Sequence, residues 1–539
     1  MKDKANPPSD ARPAKAIHIR PATTDIHQTQ EVAKVLLGDQ DTILATSQGV
    51  TANDLRIKIG TIPPCLQAYS DWYTRVAAHK SGVWYTLGIH AAIRTSLYPY
   101  HIRPAFLTML MHFWNTDVNC FCLPRGMIGP NLLDTALIAQ LPVIWTDPAV
   151  IPTQPKMDII LTHKNWSGFI TANRGVGVVT DSEHAAFLLY WLHHYIVWPS
   201  NKKPSSRLMN LACWLAKGRR AAVGSLFLAE LYRGIGQYVT AVRTQEVTET
   251  TITGPMWFLE VWARYYFSLG TVGYLELPKD DRFGVPPAIE VMRATNHTSS
   301  LVILTKTVLM DSRLDEEFFI YEGSMHIAKY PVWADPAVPP PYQNLDRTAG
   351  DLASWDSFIR PRYLFASPLL NNGKMKIRPE VYMPNCMARQ LGCCQAFPRL
   401  LPDDFLPSLD DFGFLLPRDA TEMAKAMDKL VCMRSQIPFK LQACALETFN
   451  DWWESLWNGL CYSYTEIINR LGLMVNDMIE PQPEYGDPFI ATRIQPKRKT
   501  KKKSTQANKR PCTSSSKDSY QEPSFVVFLL ALKNLLLSL

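Results

Sequence analysis

The sequence predicts a mainly α-helical fold with a minority of short β-strands and hairpins, organised as one large helical domain. Three helix-length apolar segments, each with start and stop residues, lie between Asp181 and Phe267. The 40 prolines in 539 residues indicate many short, sharply ended helices. With 47 % hydrophobic and 11 % aromatic residues, the chain has enough apolar surface for a substantial core.

The first segment, Asp181 to Pro199, begins and ends with helix signals. Asp181 and Ser182 are residue types that cap helices, and Glu183 suits a first turn. Pro199 cannot continue a helix, so we expect the helix to end there.

The second segment, 205–236, has the pattern of a helix pair. Leu208, Leu211 and Leu215 recur at helical spacing, and Gly218 is placed to end the first helix. A second apolar stripe stops at Gly234, where we expect the second helix to end.

The third segment, GPMWFLEVWARYYF, places Pro255 at a first helical position. Glu260 and Arg264 are four residues apart, which favours an exposed ion pair on that helix. We expect four tryptophans in these segments to be largely buried: Trp191, Trp214, Trp257 and Trp262.

Strands are expected where β-branched or aromatic residues replace helical spacing. Three stretches fit this pattern: Asn119 to Leu123, Leu301 to Leu309, and Glu317 to Tyr321.

Composition divides the chain into four predicted parts. Residues 1–59 form an N-terminal extension that is partly disordered, and residues 60–480 form the domain, because no linker-like break interrupts them. Residues 481–523 form a disordered basic linker that contains a nuclear import signal. Residues 524–539 form an apolar C-terminal segment.

Cysteine usage and the N-terminus indicate an intracellular compartment. The 11 cysteines include no CxxC pair, and residues 1–30 lack the apolar run of a signal peptide. Reduced thiols in the cytosol or nucleus are therefore expected.

The basic character of the chain comes from residues 496–511. Removing their eight cations from the formal net charge of +7 leaves −1 for the rest. Such a run is typical of a nuclear import signal, or of a patch that contacts nucleic-acid phosphates weakly; a solvated linker is the third interpretation. We favour import, and hence the nucleus. The eight residues are Lys497, Arg498, Lys499, Lys501, Lys502, Lys503, Lys509 and Arg510.

The C-terminal segment, SFVVFLLALKNLLLSL, leaves three interpretations open. As a helix it would span about 24 Å, short of the roughly 30 Å hydrocarbon core of a membrane. A membrane anchor is therefore less favoured than an amphipathic or docking helix. The segment could also come from an altered reading of the gene and have no role.

Six collinear blocks resemble the plant mobile domain family, often labelled "aminotransferase-like". They are WYTLGIHAAIRTS, HFWNTDVNCFCLPRGMIGPNLLDTALIAQLPV, the three segments described above taken as one block, WDSFIRPRYLF, EVYMPNCMARQLGCCQAFP and FNDWWESLW. Together they extend over about residues 60 to 460. The chain departs from the family at GMIGPNLLD, where relatives have a Thr-rich element, and at Asn385-Cys386.

The resemblance implies a non-enzymatic nuclear protein. Relatives similar to Maintenance of Meristems act in transposable-element silencing, gene-expression control and meristem or genome maintenance. Proteins are the implied partners, among them a phosphoprotein phosphatase, for which this chain would be a scaffold. Six residues belong to family motifs and are interpreted as structural, with Arg389 bound to a buried acid and Gln390 tying a loop: Trp257, Trp262, Arg233, Gly234, Arg389 and Gln390.

No cofactor or metal is expected from residue spacing. Pyridoxal phosphate needs a Schiff-base lysine and a Gly-rich phosphate cup, and Lys217 and Lys306 have the setting of surface lysines. We therefore interpret the aminotransferase label as an accident of naming. Cys120-Cys122 and Cys393-Cys394 lack zinc-site spacing, and His193-His194 have no second histidine four residues away.

No catalytic residues are predicted either, because the sequence contains no GxSxG motif and its acidic residues fit structural roles. Asp181 is interpreted as a helix cap and Glu260 as half of a surface pair; Asp134 is a third acid. The alternative function is a transposable-element-encoded protein that processes nucleic acid, with an active site formed only in three dimensions.

Overall fold

The described part of the chain is mainly helical, as the sequence predicts. The computed structural model describes residues 57–59, 67–98, 100, 102–163, 165–198, 205–244, 250–267, 288, 358–367, 369–371, 374–376, 379–391, 394–395, 397 and 444–458. All of them belong to one of the two units of the chain, Met1–Pro488. Helical residues far outnumber strand residues in this part of the chain, which confirms the fold class.

Ten α-helices have both ends within the described residues, and they include all three segments predicted from apolar spacing. They are α1 (Gln67–Thr86), α2 (His90–Thr95), α3 (Pro104–Met111), α4 (Leu132–Leu137), α5 (Trp166–Asn173), α6 (Asp181–Trp191), α7 (Met209–Ala216), α8 (Val223–Thr244), α9 (Met256–Tyr266) and α10 (Glu447–Asn458). Short 3₁₀ helices cover Pro148–Val150, Ser206–Leu208 and Pro384–Leu391.

The strands are short and form small separate sheets. They are β1 (Ile57–Ile59), β2 (Trp114–Asn115), β3 (Cys120–Leu123), β4 (Gly126–Ile128), β5 (Thr250–Ile252), β6 (Arg362–Phe365), β7 (Leu369–Asn371), β8 (Lys374–Lys376), β9 (Pro379–Tyr382), β10 (Cys394–Gln395) and β11 (Cys444–Ala445). β2-β3-β4 is an antiparallel meander, β6-β9 and β7-β8 are antiparallel pairs, and β1-β5 and β10-β11 are parallel.

The centre of the core is α6, whose residues from Glu183 to Trp191 are all buried. A helix that is apolar on every side must be surrounded, and α6 packs against α1, α5 and α7. It continues as a π-helix, Leu192–Val197, which ends with Trp198 in the left-handed conformation at φ 45°. This π turn is a departure from the single regular helix that we expected, and its predicted end at Pro199 lies outside the described residues.

The second long element, α8, runs past the glycine at which we predicted its end. Gly234 lies in the middle of α8, and the prediction that it ends the helix is wrong. A Cβ at Gly234 would collide with the carbonyl oxygen of Thr253 and would approach the Met256 Cε to 2.5 Å. Gly234 therefore allows the chain around Thr253 to approach α8 closely.

Three details of the predicted helices are corrected. The cap of α6 is Thr180, whose side chain accepts from the Glu183 main-chain N–H, while Asp181 is the first helical residue. Pro255 is the cap of α9, one residue before the predicted position. Of the four tryptophans, Trp191, Trp257 and Trp262 are fully buried, but Trp214 is only partly buried.

One of the three predicted strands can be compared with the structure. Asn119 to Leu123 is confirmed as β3, with Asn119 at φ 50° just before it. The strands predicted at 301–309 and 317–321, the extension before residue 57, the linker 481–523 and the segment 524–539 lie outside the described residues. Within the described part, no helix is both long and apolar enough to cross a membrane.

Two glycines on α8 give a matched test of this packing. We expect Gly234→Ala to lower the free energy of unfolding by about 1–3 kcal/mol, because the methyl group overlaps a main-chain carbonyl. Gly236→Ala should be neutral or stabilising by about 0.5–1 kcal/mol, because the nearest atom, Thr116 Cγ2, is 4.0 Å from its Cβ. Chemical denaturation of the full-length variants measures both, and equal effects would contradict the close approach at Gly234.

Candidate functional site

Residues 123–134, which we call the hub segment, are held by side chains from distant elements. The segment contains β4 and leads into α4, and residues 126–134 are all buried. Buried main-chain polar groups need partners, and five side chains reach those of the hub segment. Three of the side chains donate to carbonyl oxygens: Trp453 to that of Leu123 (3.0 Å), Arg389 to that of Arg125 (2.9 Å) and Tyr232 to that of Pro130 (2.6 Å). The other two accept from main-chain N–H groups: Gln390 from Gly129 (2.7 Å) and Tyr382 from Leu132 (3.4 Å).

The hub segment ends at Asp134, a fully buried carboxylate that joins α4 to α9. Its Oδ1 accepts from the Tyr266 hydroxyl at 2.7 Å, and its Oδ2 accepts from Trp262 Nε1 at 3.0 Å. Oδ2 also accepts from the main-chain N–H of Asn131, which completes a capping box at the start of α4. Asp134 therefore both starts a helix and anchors a second one.

The motif residues Arg389 and Gln390 both hold the hub segment. Gly126, at φ +130°, leaves open the space that the Arg389 guanidinium fills. Arg389 donates to the main-chain carbonyl of Arg125, and its guanidinium carbon lies 5.8 Å from the centroid of the Phe449 ring. The buried acid expected as a partner of Arg389 stays a prediction. Gln390 ties a loop, as predicted, through its bond to Gly129.

Arg233 belongs to a second buried cluster, on α8. It pairs with Glu230, and its Nη1 donates to the Ser367 carbonyl at 2.8 Å, while Ser367 N–H donates to Glu230 at 2.6 Å. Burial raises the pKa of Glu230, and the Arg233 charge offsets this only in part. The pair attaches the strand that ends at Phe365 to α8.

The predicted pair of Glu260 and Arg264 exists, but it is buried rather than exposed. Both side chains are 0 % accessible, and Arg264 Nη2 is 2.7 Å from Glu260 Oε1. Arg103 Nη2 is also 2.7 Å from Oε1, so one carboxylate serves two guanidinium groups. Burial opposes ionisation of Glu260, but Arg264 and Arg103 outweigh it and lower its pKa.

Glu183 is a further buried carboxylate that accepts hydrogen bonds from another helix. Arg75 donates to both of its oxygens at 2.9 Å, and Trp72 Nε1 donates at 3.1 Å. Burial raises the pKa of Glu183, but these donors and the main chain of Gly175 lower it by more. The group fixes α6 to α1.

Four histidines in the core are neutral at physiological pH. Burial is the largest cause that lowers the pKa of each to about 4: His112, His184, His193 and His194. His184 Nε2 accepts from Trp84 Nε1 at 2.9 Å, and His193 Nε2 lies 2.9 Å from the Ser205 carbonyl. The histidines therefore act as polar core residues.

Three free thiols lie together beside the hub segment. Cys120 interacts with Cys122 and Cys386, and burial followed by these neighbours raises the Cys120 pKa well above its ordinary value. A thiol with a raised pKa is a poor nucleophile. Among the described residues, no group of three or more His, Cys, Asp or Glu side chains could hold a metal ion.

The structure brings some predicted residues together and separates others. Trp262, Arg389 and Gln390 meet at the hub segment; Arg233 and Gly234 lie on α8, and Trp257 donates to the Tyr195 carbonyl at 3.4 Å. The eight basic tail residues lie outside the described part. Sequence reasoning missed the roles of Tyr232, Tyr382 and Arg103. The available signal was a polar group inside an apolar stripe.

The fold and this interior define a class of protein: a helical body whose buried carboxylates anchor tertiary contacts. The plant mobile domain family matches residues 88–454, more than half of the chain. The chain therefore belongs to the plant mobile domain family. No curated protein and no solved structure matches it.

Replacing Asp134 tests whether the hub segment depends on its carboxylate. We expect Asp134→Asn to lower the free energy of unfolding by about 2–3 kcal/mol, because an amide cannot accept from all three donors. Asp181→Asn is the control: Asp181 pairs with Lys80 at 2.8 Å on the surface, where such a pair contributes at most about 1 kcal/mol. Urea denaturation compares the two, and equal losses would contradict the role of Asp134.

The buried histidines predict a loss of stability in mild acid. The unfolded chain protonates them near pH 6.5, but the folded chain only near pH 4. Stability is therefore complete above pH 6.5 and falls from pH 6.5 to 4, by at most about 3 kcal/mol for each group. His90, whose pKa burial also lowers to about 4, acts in the same direction. Asp147, whose pKa is raised to about 6 by burial, has the opposite effect, as do Asp117 and Glu230, whose pKa values burial also raises.

Melting temperatures measured across this pH range check the effect. His194→Phe keeps a ring against Tyr190, 4.8 Å away, and removes one titrating group, so its pH dependence should be shallower. A melting temperature that is constant from pH 7 to 4.5 would contradict the expectation.

Proposed function

We propose that this chain is a non-enzymatic nuclear protein that holds protein partners through its helical body. The observation that carries the proposal is the family match over residues 88–454, combined with the use of the buried carboxylates Asp134, Glu183, Glu230 and Glu260 as tertiary anchors. Carboxylates that are paired in this way support a structural role in the interior. The family resemblance supports roles in transposable-element silencing, gene-expression control and meristem or genome maintenance.

The proposal assigns separate tasks to the body and the basic tail. The body would bind proteins, with a phosphoprotein phosphatase as the first partner to try in direct binding assays. Lys497 to Arg510 would direct the chain to the nucleus and would contact nucleic-acid phosphates, because the other residues have a net charge of −1.

Replacing the eight tail cations by Gln in the full-length chain tests this division. We expect the Gln variant to leave the nucleus, and a variant with arginine at the tail lysine positions to remain nuclear. The salt slope of DNA binding should decrease in magnitude by about 7, since each phosphate contact contributes about 0.9. Microscopy of a fluorescent fusion and binding titrations measure these effects.

Two results would contradict the proposal. One is a Gln variant that remains nuclear and keeps the salt slope of DNA binding of the unchanged chain. The other is turnover of a nucleic-acid or amino-acid substrate that disappears on changing one acidic or lysine residue, which would favour the transposable-element alternative.

A further inference from the structure

The turn between α7 and α8 presents three cations that have no acidic partner among the described residues. Lys217, Arg219 and Arg220 are all exposed, and none of the ion pairs in that part of the chain includes them. We call Lys217–Arg220 the cationic turn. It lies in the folded body, far in sequence from the basic tail.

The backbone of the cationic turn is fixed by the end of α7. Gly218 has φ +72°, its N–H donates to the Leu215 carbonyl at 2.9 Å, and Arg219 N–H donates to the Trp214 carbonyl at 3.2 Å. This pair of bonds is the Schellman ending of a helix. The main-chain positions of the three cationic residues are therefore fixed.

Tryptophan rings then hold the two arginine side chains. The Arg219 guanidinium carbon lies 4.8 Å from the ring centroid of Trp214, and that of Arg220 lies 4.8 Å from the ring centroid of Trp145. Trp145 adopts φ +85°, a left-handed conformation that is rare for a large side chain. Cation–π contact fixes each guanidinium while leaving its charge exposed.

The turn is hydrogen-bonded to the C-terminal end of α1, which carries an exposed aromatic residue. Arg220 Nε donates to the Thr86 carbonyl at 3.3 Å, and the neighbouring residue, Tyr85, is 47 % exposed and stacks on His90 at 3.8 Å. Preorganised guanidinium groups beside exposed rings suit a ligand with phosphates and stacking bases.

We infer that the cationic turn is a nucleic-acid contact of the folded body, with Lys217, Arg219 and Arg220 on successive phosphates. An acidic peptide could pair with the same charges, but it has no bases to stack on Tyr85. The chain's other basic cluster, Lys497 to Arg510, would attract the same polyanion. Two linked contacts on one polymer strengthen each other through effective concentration.

The test uses full-length protein with the eight tail cations changed to Gln, so that only the body contributes. Labelled oligothymidine and a DNA duplex are titrated by fluorescence anisotropy. With three phosphate contacts, affinity between about 50 and 200 mM salt should fall about 20-fold for the single strand and about 40-fold for the duplex. In the Arg219→Gln/Arg220→Gln variant one phosphate contact remains, so affinity should fall only about threefold over the same salt range.

Two sets of controls separate this role from net charge and from folding. Lys156→Gln/Arg174→Gln removes the same charge from other exposed positions and should leave the salt dependence unchanged. Trp214→Leu and Trp214→Phe both lose the bond from the indole to the Arg220 carbonyl, but only Phe keeps a ring under Arg219. We expect weaker binding with Leu than with Phe, at equal melting temperatures.

Either of two outcomes would overturn the inference. The first is unchanged affinity and salt dependence in Arg219→Gln/Arg220→Gln. The second is competition by polyglutamate as strong as that by unlabelled oligothymidine, which would assign the turn to acidic peptides. Because the tail is neutral in this background, neither outcome bears on import or on the DNA contact proposed for the tail.

Discussion

The structure depends on burying a stretch of polar backbone, the hub segment, without leaving its hydrogen-bonding groups unpaired. An unpaired buried amide or carbonyl costs about 1–3 kcal/mol, so the segment can be buried only if partners arrive from elsewhere. The partners are side chains of α8, β9, the 3₁₀ helix Pro384–Leu391 and α10. Side chains of α9 donate hydrogen bonds to the Asp134 carboxylate. The segment can therefore be buried only when all of these elements have reached their native positions.

Buried ion pairs also require that distant elements of the chain be correctly placed. Glu230, Glu260 and Glu183 each connect elements that are distant in sequence, and each is matched by one or two arginines. Such pairs add little net stability compared with apolar residues, but breaking one leaves a charge in the core. Their effect is to penalise wrong arrangements of an interior that is otherwise built from interchangeable aromatic and aliphatic contacts.

Sequence reasoning was right where the cause is local and wrong where it is tertiary. Apolar spacing predicted α6, α7, α8 and α9, and Gly218 ends α7 as its conformational freedom predicts. The same logic placed a helix end at Gly234, because the sequence does not distinguish a glycine that allows close packing from a glycine that ends a helix. It also placed Glu260 on the surface, since i,i+4 spacing says nothing about the approach of Arg103.

The contact between Trp453 and Leu123 spans 330 positions of the chain, which has a consequence for biosynthesis. At about 5–20 residues per second, a ribosome needs roughly 16–66 s to travel from one to the other. Throughout that interval the nascent N-terminal half exposes apolar helices and a strand meander that lack their final cover. The hub segment therefore cannot be completed until Trp453 has left the exit tunnel, and we expect chaperones that shield the early helices during this interval to raise the yield of folded protein.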